Sequence, residues 1–128
     1  MSDTRRVLWL NADATLLRTQ VRLLHNTEFA LAVTACTSSH EAELALMGDA
    51  FDLFVIAHTI SRQERERLAE FCKVRHSHAR VLVLHRSAGG PNCFADDAVD
   101  SRDGPAVVIG AVNRLLRSAR VMSKAAGM

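Results

Sequence analysis

The stretch Phe51-Asp52-Leu53-Phe54-Val55-Ile56-Ala57-His58-Thr59-Ile60-Ser61 constrains this chain's fold more than any other. Leu53 to Ala57 is an unbroken apolar run, preceded by an acid and ended abruptly by His58 and Thr59. An apolar run of that length, bounded by polar residues, suits a strand buried on both faces. Such strands lie in parallel sheets sandwiched between helices. Folds of that kind place their chemistry at the carboxyl ends of the strands. Ala57, His58 and Thr59 therefore stand at the first place to look for a site.

The rest of the chain repeats the pattern. Arg6-Val7-Leu8-Trp9-Leu10 is an apolar strand, stopped by Asn11-Ala12-Asp13-Ala14-Thr15, where Asp13 suits a helix N-cap. Leu16, Leu17, Val21 and Leu24 then recur at helical spacing, with Arg18, Gln20 and Arg22 between them. Phe29 to Cys36 reads as a second strand. Ser38 with Glu41 three residues on has the capping-box spacing, ahead of Ala42, Leu44, Ala45, Leu46 and Met47. Ser61 and Glu64 repeat that spacing before a helix with Leu68, Phe71, Cys72 and Val74 inward. Arg80 to His85 is a fourth strand, and Phe94 to Asp100 holds at most a short fifth. Pro105 suits the first turn of a last helix with a stripe of Val107, Val108, Ala111, Val112, Leu115 and Leu116.

Strands and helices alternating in this way predict a parallel sheet covered on both faces, with right-handed crossovers. The 128 residues make one domain, 1–128, with a core of about 5–118. Residues 119–128 lose the apolar pattern and are expected to fray.

Charge and composition exclude several classes. A formal charge of +2 points to neither a nucleic-acid nor a membrane partner. Aromatic residues make up 5% and tyrosine is absent, which argues against a base-stacking platform. No apolar stretch reaches the roughly 20 residues of a membrane span, and the expected location is cytoplasmic. Cys36, Cys72 and Cys93 are an odd number without a Cys-x-x-Cys pair, and read as buried free thiols. His76 and His78 have a ligand-like spacing but lie in a turn without nearby cysteines or paired acids, so no metal is assigned to them.

The whole order resembles the receiver domain of bacterial two-component response regulators, the CheY-like group. Residues 6–13 look like that family's first strand and acidic turn, and 51–56 its third strand. Residues 81–84 look like the fourth strand, and 95–99 followed by Gly104-Pro105 the segment around the fifth. The resemblance implies a flavodoxin-like α/β three-layer sandwich with a five-stranded parallel sheet in the order 2-1-3-4-5. The spacing from His85 to Ser101 is shorter than the family's, and Gly89-Gly90-Pro91 resists helix, so the fourth helix is expected to be short or absent.

The family's chemistry does not carry over. Its acceptor aspartate falls on Ala57, its Mg²⁺-binding acid pair on Asn11 and Ala12, its switch hydroxyl on His85 and its lysine on Ser101. Asp13 sits one position late. These residues, with His58 and Thr59, outline a degenerate phosphorylation cleft with no catalytic residue, no metal and no cofactor. The resemblance thus implies a stand-alone, non-enzymatic signalling protein that works by phosphorylation-independent contact with another signalling protein, through the last helix or the loop 86–97. A homodimer is left open. The alternative is a sensor that binds a metal ion or small anion in the vacated cleft.

Overall fold

A computed structural model describes residues 4–86 and 94–126. The elements are β1 (Arg5–Leu10), α1 (Ala14–Leu23), β2 (Leu31–Cys36), α2 (Ser39–Gly48), β3 (Leu53–Ala57), α3 (Arg62–Arg75), β4 (Arg80–His85), β5 (Asp97–Asp100) and α4 (Pro105–Ala126). Short 3-10 turns follow α1 at Leu24–Asn26 and β5 at Ser101–Asp103. All strand pairs are parallel, in the order β2-β1-β3-β4-β5.

Alternation along β1 divides the core. Val7 and Trp9 face one side of the sheet, where they meet Leu17 and Leu24 at α1 and Val108, Val112 and Leu116 of α4. Leu8 and Leu10 face the other, with Ala42 and Leu46 of α2 and Leu68 and Cys72 of α3. Leu53 to Ala57 and Val81 to Leu84 are fully buried, as continuous apolar runs require. Each such Val, Leu, Ile or Phe side chain is worth roughly 1.5–3 kcal/mol of transfer free energy.

The caps form as their spacing predicts. The Asp13 carboxylate accepts from the Leu16 N–H, Ser38 Oγ from Glu41 and Ser61 Oγ from Glu64. The Glu41 carboxylate accepts from the backbone N–H and hydroxyl of Thr37, at 3.1 and 3.0 Å, and those bonds hold its pKa below the ordinary value.

Several side chains lie elsewhere than their pattern suggests. Val74, expected inward, is 85% exposed, and Leu44 and Met47 are each 55% exposed. In α2 the buried pair is Ala42 and Leu46, one turn apart, and Leu44 lies on the opposite face. Val107 also faces outward. Gln20, set among polar residues in the sequence, is buried. Cys36 and Cys72 are buried free thiols, pushed up by burial to about 11 and about 12, whereas Cys93 lies outside the described residues.

Four α-helices occur among the described residues, and none lies in the described part of the segment between β4 and β5. Gly89-Gly90-Pro91 itself lies outside them. The polypeptide α4 continues past residue 118, where its apolar stripe stops, to Ala126. Ala119, Arg120, Met122, Lys124 and Ala125 are good helix formers by intrinsic propensity. No helix among the described residues is long and apolar enough to cross a membrane.

Candidate functional site

Because the strands are parallel, Leu10, Ala57, His85 and Asp100 end at one edge of the sheet. The residues picked out by the sequence follow directly after these ends and form two groups. In the first, Asn11 is fully buried and its Oδ1 accepts from the Thr59 hydroxyl at 2.8 Å and the Asp13 N–H at 2.9 Å. Its Nδ2 donates to Gln20 Oε1 at 3.0 Å, and Thr59 Oγ1 accepts from the Ala12 N–H at 2.9 Å. The turn after β1 is thus tied to the turn after β3 by an internal network. In the second group the Ser101 hydroxyl donates to the His85 carbonyl at 3.3 Å.

Sequence reasoning missed Gln20. Its Oε1 also accepts from Trp9 Nε1 at 3.0 Å, so it joins β1's indole to Asn11. The signal lay in the spacing, since Gln20 falls between Leu17 and Leu24 at steps of three and four, on the buried face.

Burial first, then the guanidinium groups of Arg86 and Arg65, push the His58 pKa below its ordinary value, and Asp13 opposes them. Arg65, also missed in the sequence, is itself held below its ordinary value by burial and then by Arg62. The Nδ1 atoms of His58 and His85 are buried without a hydrogen-bond partner among the described residues. Beside them, Arg102 grips Asp100 through both nitrogens and drives that carboxyl far below the usual carboxylate range.

This donor set does not fit Mg²⁺, which needs several oxygen ligands in near-octahedral order. Ala12 and Ala57 offer no side-chain oxygen, the Asn11 oxygen already accepts two hydrogen bonds, and one Asp13 oxygen caps α1. No group of three or more His, Cys, Asp or Glu side chains with metal-holding geometry occurs among the described residues.

No protein-family model and no curated protein sequence matches the chain. Solved structures do. A CheY-like response regulator receiver domain from Methanospirillum hungatei JF-1 is similar with a TM-score of 0.79 at 14% identity, covering 94% of this chain and 99% of its own. A response regulator receiver protein from Sinorhizobium medicae WSM419 gives 0.73 at 21% identity, covering 91% and 98%. A structure named as the adenylate cyclase from Rhodopirellula baltica gives 0.79 at 17% identity, covering 97% and 96%. At such identities the likeness is one of fold and carries no activity with it. Sheet order, element order and these neighbours agree: the chain has the fold of the CheY-like response-regulator receiver domains.

Proposed function

We propose that the chain is a receiver-type signalling module that passes information on by contact with another protein, without an aspartyl-phosphate step. The observation that carries this reading is Asn11. In an orthodox receiver the turn after the first strand presents acids to a metal. Here that turn's buried side chain is spent on Thr59, Asp13 and Gln20. Ala57, where the acceptor would stand, is a fully buried methyl group that cannot form an acyl phosphate. Phosphoryl transfer depends mainly on positioning and charge stabilisation, and each of these parts is changed.

Contact with a partner through the last helix accords with the dimensions of the fold. The 22 residues of α4 span about 33 Å, whereas the six-residue strands span about 20 Å. A helix of that length is longer than the strands it packs on.

Incubation with acetyl phosphate and Mg²⁺, followed by intact-mass spectrometry, tests the reading. The expected mass is unchanged, and a stable gain of one phosphoryl group would overturn it. The alternative, a sensor in the vacated cleft, divides by ligand. The donors present do not suit a hard cation, but His58 between Arg65 and Arg86 favours a small anion. Saturable phosphate binding that is lost in His58→Ala would move that second reading to first place.

A further inference from the structure

Between α1 and the start of α4 lies a cavity of about 290 Å³, whose walls include Gln20, Arg86, Ser101, Leu16, Leu23 and Val108. It is near the small end of the range for small-molecule sites, roughly 300–1,000 Å³. The side chain that marks it as a site is Gln20, which is 6% exposed. Its Oε1 accepts from Trp9 Nε1 and Asn11 Nδ2. An indole N–H can only donate, and the Asn11 oxygen is already taken by Asp13 and Thr59, so the Gln20 amide cannot be flipped. Its NH₂ therefore faces away from the network, and because it is not among the fully buried atoms without a partner, it opens onto the cavity that Gln20 lines. A donor held in place at the wall of a cavity is free to meet a ligand with acceptors in exchange for water.

The remaining polar side chains on the wall are two arginines and two hydroxyls. Arg86 makes no ion pair among the described residues. The hydroxyls of Ser101 and Thr19 already donate to the carbonyls of His85 and Thr15, and Arg102 is paired with Asp100. At the same wall α4 is preceded by Gly104, which at φ +106° takes a backbone conformation that favours glycine and has no side chain to cap the helix. Its first turn holds no acidic residue, and the nearest acid in the chain is Asp103, just before Gly104. No carboxylate lines the cavity, and Leu16, Leu23, Pro105 and Val108 form its apolar part.

We propose that this cavity binds a small organic monocarboxylate with a compact hydrocarbon body. The carboxylate oxygens meet Arg86 and the Gln20 amide, and the carbon chain lies against Leu16, Leu23 and Val108. A bare inorganic anion satisfies the donors but leaves the apolar wall in water, and an uncharged alcohol does the reverse. This site shares Arg86 and Ser101 with the rim of the degenerate phosphorylation cleft but does not involve Asn11, Ala57 or His58 directly. Gln20 nevertheless joins the two through Asn11 and Thr59.

Hexanoate, hexanol and inorganic phosphate are the probes, titrated against the full chain. Trp9, the one tryptophan, reports through its bond to Gln20, and the Gln20 side-chain amide resonances report directly by NMR. Hexanoate is expected to saturate with a dissociation constant of about 1 mM or tighter. Arg86→Gln should weaken it about tenfold or more. Thr19→Phe should block it, because Thr19 is an exposed residue of α1 whose side chain lines the cavity and tolerates enlargement. Thermal melting checks that both variants fold, and either one alone decides the matter. Three results would overturn the proposal: hexanol binding as tightly as hexanoate; phosphate matching hexanoate and surviving Thr19→Phe; or no saturation by hexanoate up to roughly 10 mM.

Discussion

Asn11 shows how a single residue can resemble a conservative change and act as a different device. An asparagine differs from an aspartate by one amide nitrogen, and here that nitrogen donates to Gln20 Oε1. Asn11→Asp would set a carboxylate oxygen against an acceptor that cannot turn away without losing Trp9. The expected cost is about 1–3 kcal/mol in urea unfolding, and an unchanged midpoint would show that the network carries no stability. His58 makes a separate prediction. Its folded pKa lies below the ordinary 6.5, so the unfolded chain takes up the proton first as pH falls. The stability this confers is complete above pH 6.5 and is lost as pH falls through the depressed folded value. His58→Gln should therefore show a shallower fall in unfolding free energy as pH drops below 6.5. A fall as steep as the wild type's would place the titrating group elsewhere.

At the scale of elements, β5 is the strand most dependent on a few polar contacts. It has four residues, none fully buried, and only β4 beside it. Asp96, just before it, accepts from the Val81 N–H at 2.7 Å and pairs with Lys73 at 2.6 Å and Arg80 at 3.3 Å. Asp97 is in turn bound by Arg114 of α4. Asp96→Ala should cost about 1–3 kcal/mol, chiefly by leaving the Val81 N–H without its partner, and should speed amide exchange in β5 ahead of the other strands. Uniform exchange across the sheet would contradict that role. The same elements show what the sequence could disclose. Leu53–Ala57 and Val81–Leu84 announce buried parallel strands because burial on both faces demands unbroken apolar runs. Asp13, Ser38 and Ser61 announce helix starts because a cap uses an N–H three residues away. Asp96, Arg65 and Gln20 were not legible as functional residues. Their partners come from other elements, and nothing local distinguishes an acid that pins a strand from one in a loop. The cleft was legible mainly as a set of departures, Asn11, Ala12, Ala57, His85 and Ser101. What fills it required the fold.

For the molecule as a whole, the question is whether one residue separates it from an orthodox phosphoswitch. A switch needs two states of comparable free energy and a ligand that distinguishes them. Here the turns after β1 and β3 are already joined by Asn11, Thr59 and Ala12, so the place where a phosphoryl group would act is held by internal bonds. Ala57→Asp restores the nucleophile alone. It introduces a carboxylate at a position that is now fully buried and pairs with Leu84 in the β3–β4 ladder. That burial should cost about 1–3 kcal/mol. The metal still lacks its acid pair at Asn11 and Ala12, and the product still lacks a lysine where Ser101 stands. Phosphoryl transfer needs the charges together, so the restored carboxylate gains almost nothing by itself. Ala57→Asp incubated with acetyl phosphate and Mg²⁺ should melt at a lower temperature than the wild type and keep its mass. Efficient phosphorylation of this variant would mean that the network opens readily, and that the loss of the acceptor was the only step separating this chain from a working receiver.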